Sequence, residues 1–253
     1  MPATQPATEL TIADLLTGDV HLASPPNLYF ELCRAADDPA ATSENLAGII
    51  GNDPNLCGRL LKIVNSAYFG LPGQIRTISR AITIIGIDEL RTLVLGTLII
   101  DKFSALPGGL PSMHAYWRNC LNCALLARSI GRYLHNAAGK ETLFVCGLLH
   151  EIGQLVFYLR IPELARDVAL QAEAGSIDAI QAEQKLLGFD HYQAGAALAR
   201  LWRLPDIIAE TIASHCDPLM ADTYPQESAI VSLAWQLSIR QDLPASCPPT
   251  GIC

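Results

Sequence analysis

Aromatic residues supply only 6% of this 253-residue chain, and charged residues only 17%, against 50% hydrophobic content. With so few rings, most of the apolar content falls on Ala, Val, Ile, Leu, Met and Cys. That composition suits packed helices better than strands, which favour β-branched and aromatic side chains. The hydrophobicity excludes disorder for the bulk of the chain. Uninterrupted apolar runs are missing too. Windows such as Ala81–Ile87 and Leu143–Leu149 fall far short of the ~20 residues a membrane span needs. The N-terminus has no basic region followed by an apolar one, so no signal peptide is expected. Regular cysteine spacing is absent among the eight cysteines, which argues against a disulfide framework. Cys120-x-x-Cys123 is the one close pair. It lies within the helical pattern WRNCLNCALLAR without a second pair to complete a zinc ribbon, and reads as reduced core thiols. These absences predict a soluble, cytoplasmic protein.

Positive charge is also in deficit. The net charge of −8 excludes general binding to nucleic acid or anionic membrane. The deficit is uneven: residues 1–55 sum to −7, whereas 56–102 sum to +3 through Arg59, Lys62, Arg76, Arg80, Arg91 and Lys102. That basic middle faces a phosphate, an acidic partner or, as an ordinary solvated helix face, water alone.

What is present is helical punctuation. Residues 1–22, opening on a Pro/Thr/Ala-rich run, read as a flexible segment. Ser43 is a candidate N-cap, Asp53-Pro54 marks a second helix start, Thr77 a third, and Asp88 caps a fourth. ALPGGLPS (105–112) is the strongest interior breaker and divides a helical subdomain at 23–107 from another at 108–240. The second is expected to hold helices over about 113–135, 141–159, 162–174, 176–187, 190–202, 205–216 and 226–240, before a tail at 241–253. Asp190 fits an N-cap and Gly188 a helix end. No period-2 alternation interrupts this. The fold class is all-α: two packed helical bundles.

Two histidine-bearing segments carry the chemistry. GLLHEIGQLVF places His150-Glu151 inside an apolar helix, and LGFDHYQAGAALARLWRLPDIIAETIASHCDP places His191 at a helix start and His215 at a helix end. Neighbouring side chains on a helix point about 100° apart, so a His-carboxylate pair straddles an ion lying over the helix. Ligands from two later helices would complete a bundle-core site.

The C-terminal half resembles the HD superfamily of metal-dependent phosphohydrolases. From about Ala23 to Trp235 the chain is similar to the HDOD domain, the HD-related output domain of bacterial signalling proteins. IIGNDPNLCGRLLKIVNSAYFG (49–70) and QIRTISRAITIIGIDELRTLVLG (74–96) carry the resemblance most specifically, and LPDIIAETIASHCDP fits the family's closing helix. Set against a catalytic HD domain, the chain departs at several ligand positions. Asn119 stands where the leading His is expected, and Glu151 replaces Asp in the His-Asp pair. His191 matches a later His, His215-Cys216 occupies a double-His position, and Trp235 replaces the final Asp. No Gly-Tyr-Pro signature follows His215. A hydrolytic centre must lower the pKa of a bound water and hold it in line with phosphorus, and lost ligands undercut both.

The resemblance therefore implies a non-catalytic regulatory module working through protein–protein interaction, possessing no catalytic residues. Its partners would be signalling proteins, such as diguanylate cyclases, phosphodiesterases or response regulators. Asn65, Arg76 and Arg80 form the expected interaction surface, although Asn65, at a helix end, also suits a purely structural bond to freed carbonyls. No cofactor is expected. His150, Glu151, His191 and His215 are the candidates for a residual single divalent ion and for the alternative, a phosphohydrolase with a reduced metal site. A third reading is a nucleotide sensor without turnover, using Arg59, Lys62, Arg76 or Arg80.

Overall fold

The computed structural model describes residues 10–17, 27–66, 69–103, 113–135, 138–173 and 178–241. Among these, every regular element is a helix. The helices are α1 (Ile12–Leu16), α2 (Asn27–Ala36), α3 (Ser43–Gly51), α4 (Pro54–Val64), α5 (Ile78–Ile85), α6 (Ile87–Lys102) and α7 (Met113–Tyr133). They continue with α8 (Lys140–Leu149), α9 (Ile152–Arg160), α10 (Pro162–Glu173), α11 (Ala179–Leu187), α12 (His191–Leu201) and α13 (Asp206–Ser214). A short 3₁₀ turn (Pro218–Met220) leads into α14 (Pro225–Gln241). The 105–112 breaker, the tail beyond 241 and Tyr68 lie outside the described residues.

Local chemistry sets most boundaries. The Asp53 carboxylate accepts from Asn55 N and Leu56 N, with Pro54 at the first helical position. The Thr77 hydroxyl accepts from Arg80 N, and Asp190 closes a reciprocal capping box with Gln193. Two expected caps move, one by a residue and the other by two. The cap of α3 is Thr42, paired with Asn45, not Ser43. α6 starts at Ile87 behind Gly86, whose φ of 89° is costly for residues with a Cβ. Asp88 therefore sits inside the first turn, where its charge complements the helix dipole.

The apolar residues form two cores. Leu32, Leu46, Ile50, Leu56, Leu60, Val64, Ile78 and Ile82 build the first from α2–α5. The larger second core runs through α7–α9 and α12–α14. Their division does not fall at residue 107. It runs along α6, which gives Leu90 and Val94 to the first core and Leu95 and Ile99 to the second. Adjacent positions 94 and 95 point about 100° apart, so one helix with two apolar faces serves both bundles. Across the same junction Arg128 Nη1 donates to the buried Glu89 carboxylate at 2.6 Å.

The segment expected to be loose at 1–22 contains a docked helix. Leu15 and Leu16 of α1 are buried in the second core. Arg160 secures its end, donating to Asp14 O and Thr17 O. Burying two leucines at roughly 1.5–3 kcal/mol each offsets the ordering of one short turn.

The 141–159 helix is broken at its centre. His150 and Glu151 form a joint between α8 and α9, where Glu151 adopts φ −103°, ψ 14° and Gln154 N bonds back three residues to Glu151 O. Taken together, Glu141–Arg160 has the length and hydropathy of a membrane span, a feature that short apolar windows concealed. However, 78% of its most apolar window is buried inside the protein, as befits a core element.

Candidate functional site: a buried histidine–carboxylate cluster

Glycine decides how close the site elements come. A Cβ on Gly153 would lie 1.7 Å from His191 O and 2.9 Å from Gly195 N. α9 and α12 thus touch backbone to backbone, and this sets His191, the first residue of α12, beside Glu151, the last residue before α9. Tyr116 of α7 donates its hydroxyl to Glu151 O at 3.0 Å, occupying the carbonyl at the joint.

His150, Glu151, His191 and His215 meet as the sequence predicts, in unequal roles. Glu151 Oε2 accepts from His191 Nε2 at 2.8 Å and from Gln154 Nε2 at 2.7 Å. The opposite nitrogen of His191, Nδ1, lies 2.8 and 2.9 Å from the two oxygens of Glu183, which also accepts from His191 N. A ring whose two nitrogens both face carboxylates is an imidazolium. Burial opposes that charge, but the attraction and hydrogen bond of Glu151, followed by Glu183, raise the His191 pKa to about 10. Burial works against Glu151 as well, yet the His191 charge and hydrogen bond hold its carboxyl well below the usual range.

His150 and His215 behave differently. His150 Nδ1 lies 2.8 Å from Gly147 O, and His215 Nδ1 lies 3.0 Å from Ile212 O. Their Nε2 atoms point toward Glu151 Oε1, at 3.9 and 3.8 Å. Both are buried without a hydrogen-bond partner among the described residues. Burial pushes His150 down to about 4, with Glu151 pulling the other way. The two rings meet edge to face, with Tyr192 against His215 and the Trp235 ring centroid 5.6 Å from that of His215. The tryptophan packs the space a final aspartate would leave polar. Ligand atoms of His150, Glu151 and His215 lie within 4.8 Å of one another, and this donor set fits a single ion; His191, committed to two carboxylates, is not part of it.

Asn119 lies on α7 between Tyr116 and Cys120, its Oδ1 buried and without a partner among the described residues. Cys120, Cys123 and Cys146 are buried and free, and burial raises their thiols, Cys146 to about 12. Sequence reasoning missed Glu183. Its signal was an acid directly after Ala182 on the inward stripe of α11, where a charge requires a partner.

The second candidate site lies in the other bundle. Asn65 clamps two segments: Nδ2 donates to Leu61 O and Ile75 O, and Oδ1 accepts from Ile75 N at 2.7 Å. This fixes the stretch 74–77 against the end of α4. The resulting shallow depression is lined by Leu61, Lys62, Asn65, Gln74, Ile75 and Arg76. Arg80 is exposed in the first turn of α5, outside that lining.

A two-core helical protein with a His-Glu pair at a helix joint, and further histidines brought to it from α12 and α13, belongs to the HD-related class. The sequence model of the HDOD domain matches residues 22–218, and the chain belongs to that family. An HDOD domain protein of unknown function from Geobacter sulfurreducens is 26% identical and superimposes with a TM-score of 0.80, covering 94% of this chain and 80% of that one. A Shewanella amazonensis protein, named as a presumed phosphohydrolase, is 25% identical with a TM-score of 0.76, over 90% and 83% of the two chains. An uncharacterized protein of Treponema pallidum is 28% identical over 195 residues; the match takes in 75% of this chain and 36% of that relative, so the chain spans about a third of its length.

Proposed function

We propose that this HDOD protein is a non-catalytic module of bacterial signal transduction, working in the cytoplasm by docking a partner protein. One observation carries the reading: the His-Glu cluster is sealed. His150, Glu151, His191 and His215 are only 1%, 8%, 3% and 0% exposed. Phosphoester hydrolysis needs an ester beside an activated water. Tyr192, Trp235 and Phe157 pack their rings around these histidines, where an ester would have to enter. Glu151 Oε2, which could otherwise serve as a base, is bound by His191 and Gln154.

The surface around Asn65, Arg76 and Arg80 supplies the docking face. Its backbone is pre-set by the Asn65 clamp, and Lys62, Arg76 and Arg80 are exposed on it. A rigid basic rim favours an acidic surface on a signalling protein, a cyclic-dinucleotide enzyme or response regulator, and speeds its capture. α6, shared by both cores, and the Glu89–Arg128 pair would couple the docked bundle to the other.

The experiment is capture of such partners by the wild-type chain and by the Arg76→Glu/Arg80→Glu variant at low and high salt. The variant should bind more slowly at low salt and converge with wild type at high salt. Equal binding at both salts rejects this face. Turnover of cyclic dinucleotides, cyclic mononucleotides or nucleotide triphosphates with Mn²⁺, Mg²⁺, Fe²⁺ or Zn²⁺, lost in both His150→Ala and His191→Ala, would instead establish the phosphohydrolase reading carried by the name of the Shewanella relative.

A further inference from the structure

The Asn65 clamp reveals the backbone shape of the segment it holds. Asn65 Oδ1 accepts from Ile75 N at 2.7 Å, and its Nδ2 donates to Ile75 O at 2.8 Å. One side-chain amide reaches the N–H and C=O of a single residue only where both point the same way, as they do in an extended strand. Asn65 therefore stands where a neighbouring strand would. Successive residues of extended backbone aim their polar groups at opposite edges, so those of Gln74 and Arg76 point away from the clamp. Among the described residues, the main-chain N–H and C=O of Gln74 and Arg76 have no hydrogen-bond partner.

The side chains follow the same geometry. Ile75 is buried in the first core, whereas Gln74 and Arg76 on either side of it are exposed, the alternation of a strand with one face covered. Extended backbone continues into Thr77, at φ −135° and ψ 149°, where α5 takes over. Unpaired groups along one extended edge are a template for a further strand. Charge selects which strand. Outward side chains of an added strand would lie beside Gln74 and Arg76, and Arg80 is exposed in the first turn of α5 that follows. We propose that the stretch 74–77 receives an extended acidic segment of a partner protein as an added β-strand. Its main chain pairs with Gln74 and Arg76, and its acidic side chains meet Arg76 and Arg80. This rests on the docking reading above and narrows it: the partner offers a linear segment rather than a folded acidic surface.

The probes are labelled octapeptides that alternate Glu or Asp with Val, Ile or Thr, titrated into the full chain. Each is also made with alternate main-chain nitrogens methylated, in both of the two possible phases, and with Lys in place of the acids. The plain acidic peptides should bind and the Lys series should not. Because only one edge of the added strand pairs, one methylation phase should weaken binding by about tenfold or more, and the other should leave it nearly unchanged. Hydrogen exchange on the wild type needs no variant to fold: bound peptide should protect the Gln74 and Arg76 amides, while the Ile75 amide, already bonded, changes little. Gln74→Pro, which deletes one edge donor without altering charge, should weaken binding by about tenfold or more. No binding by the acidic series, equal binding by both methylation phases and the plain peptides, or unprotected Gln74 and Arg76 amides would overturn the added strand. If Arg76→Glu/Arg80→Glu still slows partner capture while methylation has no effect, the docking face stands and the strand is rejected.

Discussion

Replacing Gly153 by alanine tests the argument that backbone contact between α9 and α12 builds the cluster. The added Cβ would stand 1.7 Å from His191 O, 2.7 Å from its carbonyl carbon and 2.9 Å from Gly195 N. All three neighbours are main chain, so no rotamer change relieves the clash, and the helices must part by roughly 1 Å or more. The first casualty is the 2.8 Å contact between His191 Nε2 and Glu151 Oε2. Overpacking of this kind costs about 1–3 kcal/mol, and breaking a buried ion pair about 3–5 kcal/mol. Even the low ends together give about 4 kcal/mol, a fall of roughly 8–16 °C in Tm for a chain this long. Thermal melts followed by circular dichroism at pH 7 measure it. Two controls bracket the result. At Gly131 the nearest atom is Leu143 Cδ1, the mobile end of a side chain, so Gly131→Ala should cost distinctly less. Gly48 has nothing within 4 Å and lies inside α3, so Gly48→Ala should stabilise by about 0.5–1 kcal/mol. A Gly153→Ala drop below about 3 °C, or one no larger than that of Gly131→Ala, would refute the close-approach argument.

Stability should peak near pH 6.5. The folded pKa of His191 is raised to about 10, so its contribution is full below the ordinary value of 6.5 and lost as pH climbs to 10. His150, lowered to about 4, contributes fully above 6.5 and loses it as pH falls to 4, while Glu151, also lowered, adds to the acid-side loss. Denaturant midpoints across pH 4–10 would show this, and a flat profile would contradict it. Asn65→Ala should cost about 1–3 kcal/mol, because it leaves Ile75 N and O without the side chain that pairs them; an unchanged urea midpoint would mean that solvent replaces the clamp freely. Glu89→Gln should cost about 1–3 kcal/mol, discounted because Arg128 is partly exposed, and should separate the unfolding of the two cores; a single unshifted transition would show that α6 alone couples them.

The sequence alone determined the helical class, most helix starts and the list of histidines. These follow from short-range causes: a 3.6-residue apolar period, Asp and Thr caps, and Pro at first positions, each acting within a turn or two. It also marked Cys120 and Cys123 as core thiols, since a mid-helix pair among apolar neighbours has few other destinations. Only the tertiary structure decided the rest. Which histidine becomes a cation depends on Glu183, eight residues earlier in chain and on a different helix, and on Glu151, forty residues away. The break at His150-Glu151 is invisible in an apolar pattern that runs unbroken from α8 into α9. The docking of α1 onto α9 and α12 depends on a face that no local window contains. Likewise, the sharing of α6 between two cores follows from which helices pack on its opposite sides. Local free energies write the elements, whereas charge states and the direction of two bare imidazole nitrogens are set by side chains brought together from afar, in a medium whose low polarity exists only once the chain has folded.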